Sequence, residues 1–191
     1  NDCKDYGTLP FSGIARCAFV ATKILRTLVS HKILDQNDYN LFFESINNVQ
    51  KQINNSLLNA RKNKKGFFKT YGHLRPMTYS ISSENYQEGF KNYFNEKNLK
   101  YKKIKKFKIH KQKILKINKI FKKNNINCNA INFFKFSKNA IYYREYSKMI
   151  FTKSIDLVFK ELIKLGLKIN VKRNDLEHIS IKDILNYYNN L

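Results

Sequence analysis

The stretch INFFKFSKNAIYYREYSKMIFTKSIDLVFKELIKL, residues 131–165, decides the fold. Phe134, Ile141, Tyr142, Met149, Ile155, Val158, Phe159, Leu162 and Ile163 recur along it mostly by threes, fours and sevens. That is the period of one helix face rather than the alternation of a strand. No proline interrupts the pattern, and Gly166 follows it as a candidate C-cap.

The same period recurs upstream. Tyr6-Gly7-Thr8-Leu9-Pro10 reads as a turn, after which Ile14, Ala15, Ala18, Phe19, Thr22, Leu25 and Val29 predict a helix to about His31, with Ser12 as its N-cap. A turn at Asp35, Asn37 and Asp38 leads to Phe42, Ile46, Val49, Ile53, Leu57 and Ala60, a second long helix that a short link folds back on the first. Residues 62–98 lose periodicity and hold Gly66, Gly72, Pro76 and Gly89. Within residues 100–123, Ile109, Ile114, Ile117, Ile120 and Phe121 form a narrow apolar stripe under a lysine-rich face, which predicts a surface helix preceded by a short strand at 103–109. Residues 124–129 read as a loop, and Ser180-Ile181-Lys182-Asp183 as the capped start of a short final helix. The expected fold is mostly α, with long antiparallel helices, an irregular region over about 62–130 and at most a short strand pair. Residues 1–191 are read as a single domain.

Composition agrees. Hydrophobic residues make up 42% of the 191, enough to offset the entropy of ordering, while 2 Pro and 6 Gly are too few for the frequent turns of a sandwich or barrel. The chain shows no run of about 18 apolar residues and no basic segment leading into an apolar one, so no membrane span and no signal peptide are expected. Cys3, Cys17 and Cys128 are odd in number and widely spaced, as in reduced thiols. A cytoplasmic location follows from these three readings.

The formal charge of +23 would ordinarily point to nucleic acid. Here the excess is lysine in company with Asn, Ile, Tyr and Phe, the codon bias of an AT-rich genome, and no specific nucleic-acid partner is expected. The lysine face of residues 100–123 is the part that a nucleic-acid-binding module would use, and a helical spacer without a substrate site is the other rival reading.

Phosphate-cradling loops are dense in glycine, and the glycines at 7, 13, 66, 72, 89 and 166 are all isolated. His31, His73, His110 and His178 form no spacing that holds a metal. Two constellations stand out instead. In Tyr71-Gly72-His73-Leu74-Arg75-Pro76-Met77-Thr78-Tyr79, Arg75 has the fork to grip a carboxylate or phosphoryl group, Pro76 stiffens the loop, and Tyr79 offers a ring and a hydroxyl. In Arg144-Glu145-Tyr146-Ser147-Lys148, Arg144 and Lys148 share one helix face, with Glu145 three residues from Lys148. Each has a plainer reading, a loop arginine capping a helix end and a solvated ion pair.

Taken together, Tyr6-Gly7-Thr8-Leu9-Pro10-Phe11-Ser12-Gly13-Ile14-Ala15-Arg16-Cys17-Ala18-Phe19, the 71–79 string, and 144–153 followed by 175–185 resemble, in order, the central region of the phosphoenolpyruvate-synthase and pyruvate-phosphate-dikinase-like phosphotransferases. The nearest likeness is the branch found in capsule gene clusters. Met77 stands where that family has Gly, Ser80 where it has Asp, and residues 100–129 have no counterpart. The resemblance implies a three-part enzyme: an ATP-grasp domain using ATP and Mg2+, a middle portion, and a swivelling domain with a phosphorylated histidine. Neither flanking signature occurs here and the chain begins on Asn, so it is expected to be the middle portion of a larger protein and to be inactive alone. It would hold a small-molecule acceptor, L-glutamine in the capsule branch. An amino-acid site wants an arginine for the α-carboxylate and a carboxylate for the ammonium, and the phosphoryl group wants a cation. The candidate acceptor-site residues are therefore Arg75, Arg144, Glu145 and Lys148, with Tyr79 and His73 from the loop, and Ser12 with Arg16 at the first turn of the first helix. No catalytic residue is expected in this portion.

Overall fold

A computed structural model describes residues 2–60, 63–94 and 100–189. The fold is all α, 70% helical, with no strand among the described residues. The principal helices are α1 (Leu9–Ser30), α2 (Gln36–Glu44), α3 (Val49–Ala60), α4 (Lys64–Tyr71), α5 (Phe90–Tyr93), α6 (Lys111–Lys123), α7 (Ala130–Lys168) and α8 (Ile181–Asn189). The chain divides into two compact units, unit 1 comprising Asn1–Leu58 and Leu99–Ile150, and unit 2 comprising Asn59–Asn98 and Phe151–Leu191.

Unit 1 is built on the first part of α7. Ala130, Phe133, Phe134, Ser137, Ala140 and Ile141 are buried at helical spacing, and they pack with Ala18, Leu25 and Leu28 of α1, Phe42 of α2, and Ile117 and Phe121 of α6. Phe42, Phe107 and Phe134 meet ring against ring, with centroids 5.1 to 5.7 Å apart. Each fully buried side chain of this size contributes about 1.5–3 kcal/mol. Asn129 caps α7 by accepting the backbone N–H of Asn132 at 2.8 Å. The α2 cap is a reciprocal pair, Asp35 and Asp38 each accepting the other's backbone N–H, and Lys113 of α6 donates to both carboxylates.

Unit 2 is held by aromatic rings. Phe67 packs against Tyr71, Phe90 and Phe94, and Tyr86 against Phe94 and Tyr93, with centroids 4.9 to 6.0 Å apart. Burial pushes the Tyr86 phenol above its ordinary value. The final helix begins as its sequence predicts, Asp183 accepting from Ser180 while Ser180 Oγ accepts the Asp183 N–H.

Several expectations are corrected. Residues 103–109 are not a strand: the backbone around them is tied by side chains instead, Asn54 donating to the Lys100 carbonyl and Asn55 pairing with both the N–H and C=O of Lys102. The second long helix is broken into α2 and α3, because Ser45 Oγ turns back to the Phe42 carbonyl, Asn48 caps the Lys51 N–H, and Lys51 Nζ satisfies the Glu44 and Ile46 carbonyls. Residues 62–98 contain the helix α4, capped by Asn63. The turn expected at 6–10 is helical, since a π-turn over Cys3–Thr8 runs into α1. Ser12 is therefore inside the helix and not its N-cap, its Oγ donating to the Thr8 carbonyl at 2.9 Å. Gly166 is also helical rather than a cap. Asn170, at φ 57°, takes the left-handed position, and the Val171 N–H returns to the Gly166 carbonyl at 2.8 Å. A Cβ on Gly166 would lie 2.9 Å from the Val171 carbonyl.

The continuous helical stretch Cys3–Ser30 is long and apolar enough, by length and composition, to cross a membrane, with a mean hydropathy of 1.2 over its most apolar window. Its Ala15, Ala18, Ala21, Leu25 and Leu28 are buried in unit 1, while only 22% of that window is buried in all and Leu9, Phe19 and Val20 are exposed.

Candidate functional site

In unit 1, Arg144 donates through Nε and Nη2 to Oε1 of Glu145, at 2.9 and 2.5 Å. Neighbouring residues on a helix do not face each other, so the guanidinium folds sideways to make this pair. Phe19 of α1 supports it from below, its ring centroid 5.5 Å from the guanidinium carbon. Both partners stay reachable, at 31% and 39% side-chain exposure. Tyr142 and Tyr146 stack alongside at 5.7 Å. Lys148 is half-buried one turn further along α7, Arg16 is exposed on α1, and Ser12 lies within α1, where its N–H belongs to the helix and offers no anion site. A charged pair of this kind complements a zwitterion, one end taking a carboxylate and the other an ammonium.

Unit 2 uses Arg75 differently from the sequence expectation. Its side chain is 3% exposed and is committed to internal partners. The guanidinium donates to Asp156 and to the carbonyls of Ser80 and Ser83, and it lies 4.9 Å from the centre of the Phe159 ring. Asp156 also accepts from Asn85 at 3.0 Å and Lys160 at 2.8 Å. Burial alone would raise the Asp156 carboxyl, but Lys160, Asn85 and Arg75 together hold it below the ordinary carboxylate range. Arg75 is thus the anchor of the loop that follows it.

That loop is also clamped from the C-terminal side. Arg173 donates to the carbonyls of Ile81 and Ser83 and to Glu88, while Glu177 Oε1 accepts from the hydroxyls of Ser80 and Ser82. The two serine hydroxyls lower the Glu177 carboxyl. A pocket of about 760 Å3 opens here, with Phe159, Leu162 and Leu176 as apolar wall and Tyr79, Ser80 and Glu177 as polar groups. Tyr79 is exposed at its rim and His73 is half-buried earlier in the loop. Residue types alone did not single out Asp156, Arg173 or Glu177. Their sequence signal was weak, since a single charged residue on a helix flank or near a chain end is usually solvated.

Among the described residues no group of three or more His, Cys, Asp or Glu could hold a metal ion. No family model matches the chain, and no curated protein and no solved structure matches it either.

Proposed function

We propose that this chain is the acceptor-binding middle portion of an ATP-dependent phosphotransferase of the phosphoenolpyruvate-synthase-like kind, an L-glutamine kinase of capsule phosphoramidate synthesis acting in the cytoplasm. The observation that carries the reading is the pairing of the strings behind the resemblance. Phe19 of the first string supports Arg144 of the third, and Ser80 and Ser82, just after the second, are bonded by Glu177 of the last. The first of these contacts, within unit 1, reaches an acceptor-site candidate, and the second, within unit 2, fixes the loop that follows Arg75.

On this reading the α-carboxylate of glutamine displaces Glu145 from Arg144, and its ammonium takes Glu145. Lys148 faces the incoming phosphoryl group. ATP and Mg2+ are held by an ATP-grasp domain and the phosphohistidine by a third domain, both outside residues 1–191, and no metal chemistry is assigned to these residues. The amide nitrogen is a weak nucleophile, so the contribution of this portion is to fix it in line with phosphorus and to neutralise charge.

The test is a pair of half-reactions on the full-length enzyme carrying Arg144→Ala or Glu145→Ala. Labelling of the histidine by ATP should survive and transfer to glutamine should be lost. Transfer at the wild-type rate in both variants rejects the site, and loss of both half-reactions points to a spacer.

A further inference from the structure

We propose that unit 1 carries a second binding site, for a small multivalent phosphate anion, a pyrophosphate or triphosphate group either free or carried on a nucleoside. It is the groove lined by Lys105, Lys106 and Lys108, in the irregular stretch before α6, and by Lys135 and Lys138 of α7. The proposal does not rest on the acceptor reading.

The groove measures about 560 Å3, within the range of about 300–1,000 Å3 that small-molecule sites occupy. Five exposed lysines from two separate elements line it. Only Lys105 has an acidic partner among the described residues, Glu44 at 2.9 Å, so the groove keeps a strong excess of positive charge. Like charges gathered this way repel one another unless an anion lies between them. The neighbouring Lys51 ammonium is pushed below the ordinary lysine value chiefly by burial; Glu44 pulls it up, and Lys102 and the groove's Lys138 add smaller downward pushes.

The floor argues for a small anion over a nucleic-acid strand. Single-stranded nucleic acid needs exposed rings on which bases stack along a basic track. Here Phe42 and Phe134 are 2% and 7% exposed and packed edge to face or tilted against Phe107, so they serve as a rigid base and not as stacking platforms. Lysines act as point charges for phosphate, and several lining one groove favour a ligand that brings several negative charges.

Isothermal titration of the 191-residue chain with sodium tripolyphosphate, and separately with metal-free adenosine triphosphate, tests the site. One equivalent should bind saturably, and Lys135→Gln with Lys138→Gln should weaken it by about tenfold or more. Lys116→Gln with Lys119→Gln, the same loss of charge on α6 outside the groove, should change it by less than about twofold. Tighter binding of adenosine triphosphate than of tripolyphosphate assigns the nucleoside source, and the reverse order the free anion. A second measurement needs no variant: tripolyphosphate should shield Lys135 and Lys138 from acetylation and leave Lys116 and Lys119 unshielded. Equal weakening by both variant pairs, absence of saturation, or equal shielding overturns the proposal. So does an RNA oligomer whose affinity grows with length and falls in both pairs, which would make the surface a nucleic-acid track.

Discussion

Arg75 donates to the carboxylate of Asp156, 81 residues further along the chain, and both side chains are 3% exposed. Lys160 and Asn85 remain on Asp156 when Arg75 is lost, so the cost is that of the lost charged hydrogen bonds, about 1.5–3 kcal/mol, and not the larger cost of a stranded buried charge. Arg75→Met should therefore destabilise unit 2 by that order, read as loss of amide-exchange protection in α4 and in the second half of α7, with unit 1 unaffected.

The same pair fixes a pH dependence. The Asp156 carboxyl lies below its ordinary value when folded, so its stabilisation is complete above the unfolded value of about 3.9 and is lost as pH falls through the folded one. Asp156→Asn should be much less stable than wild type at neutral pH, and the gap should narrow in acid. Melting curves of both proteins as a function of pH test this, and a gap that widens on acidification contradicts it.

Arg144→Ala and Glu145→Ala should leave stability nearly unchanged. The pair is about a third exposed, and such pairs are worth about 0–1 kcal/mol. Thermal melts within about 2–4 °C of wild type would make any loss of acceptor transfer a matter of chemistry rather than unfolding.

Asn170 holds φ 57° at the end of α7. Asn170→Val should cost about 1–2 kcal/mol, since a β-branched residue in the left-handed region meets its own carbonyl, whereas Asn170→Gly should be tolerated. Gly166→Ala should also destabilise, because its Cβ would press on the Val171 carbonyl. Chemical denaturation of the three variants supplies the order.

The 191-residue chain alone should neither hydrolyse ATP nor take label from it, because its glycines are too isolated to cradle phosphate for transfer. Turnover by the purified chain would sink the middle-portion reading.

Periodicity and one of the three helix caps read from the sequence, which depend on residues a few positions apart, were legible. The α7 register over Phe134, Ile141 and Met149, the Ile117 and Phe121 stripe of α6, and the Ser180 and Asp183 cap could be read locally, whereas beyond residue 150 the expected Val158 is exposed and Phe151, Thr152 and Asp156 are buried instead. Arg75 could be picked out by type, but its partner Asp156 could not, since nothing along the chain links one carboxylate on a helix to an arginine 81 residues earlier. Glu177 and Ser80, 97 residues apart, escaped for the same reason. Ser12 and Gly166 misled because each has the right residue type for a cap, while the helix continues through both on tertiary and turn contacts further along.

The double grip of Lys113 on Asp35 and Asp38 sets that lysine apart chemically. The hydrogen bonds that it donates to Asp35 and Asp38 raise its ammonium above the ordinary value, and only a neutral amine attacks an acylating reagent. Lys51 is shifted the other way. In a chain whose charge is dominated by one residue type, covalent modification should thus be uneven: Lys113 should be among the last amines to acquire an acetyl group, and its acetylation would set two carboxylates against each other at the start of α2. Lys51 should carry a larger nucleophilic fraction at the same pH.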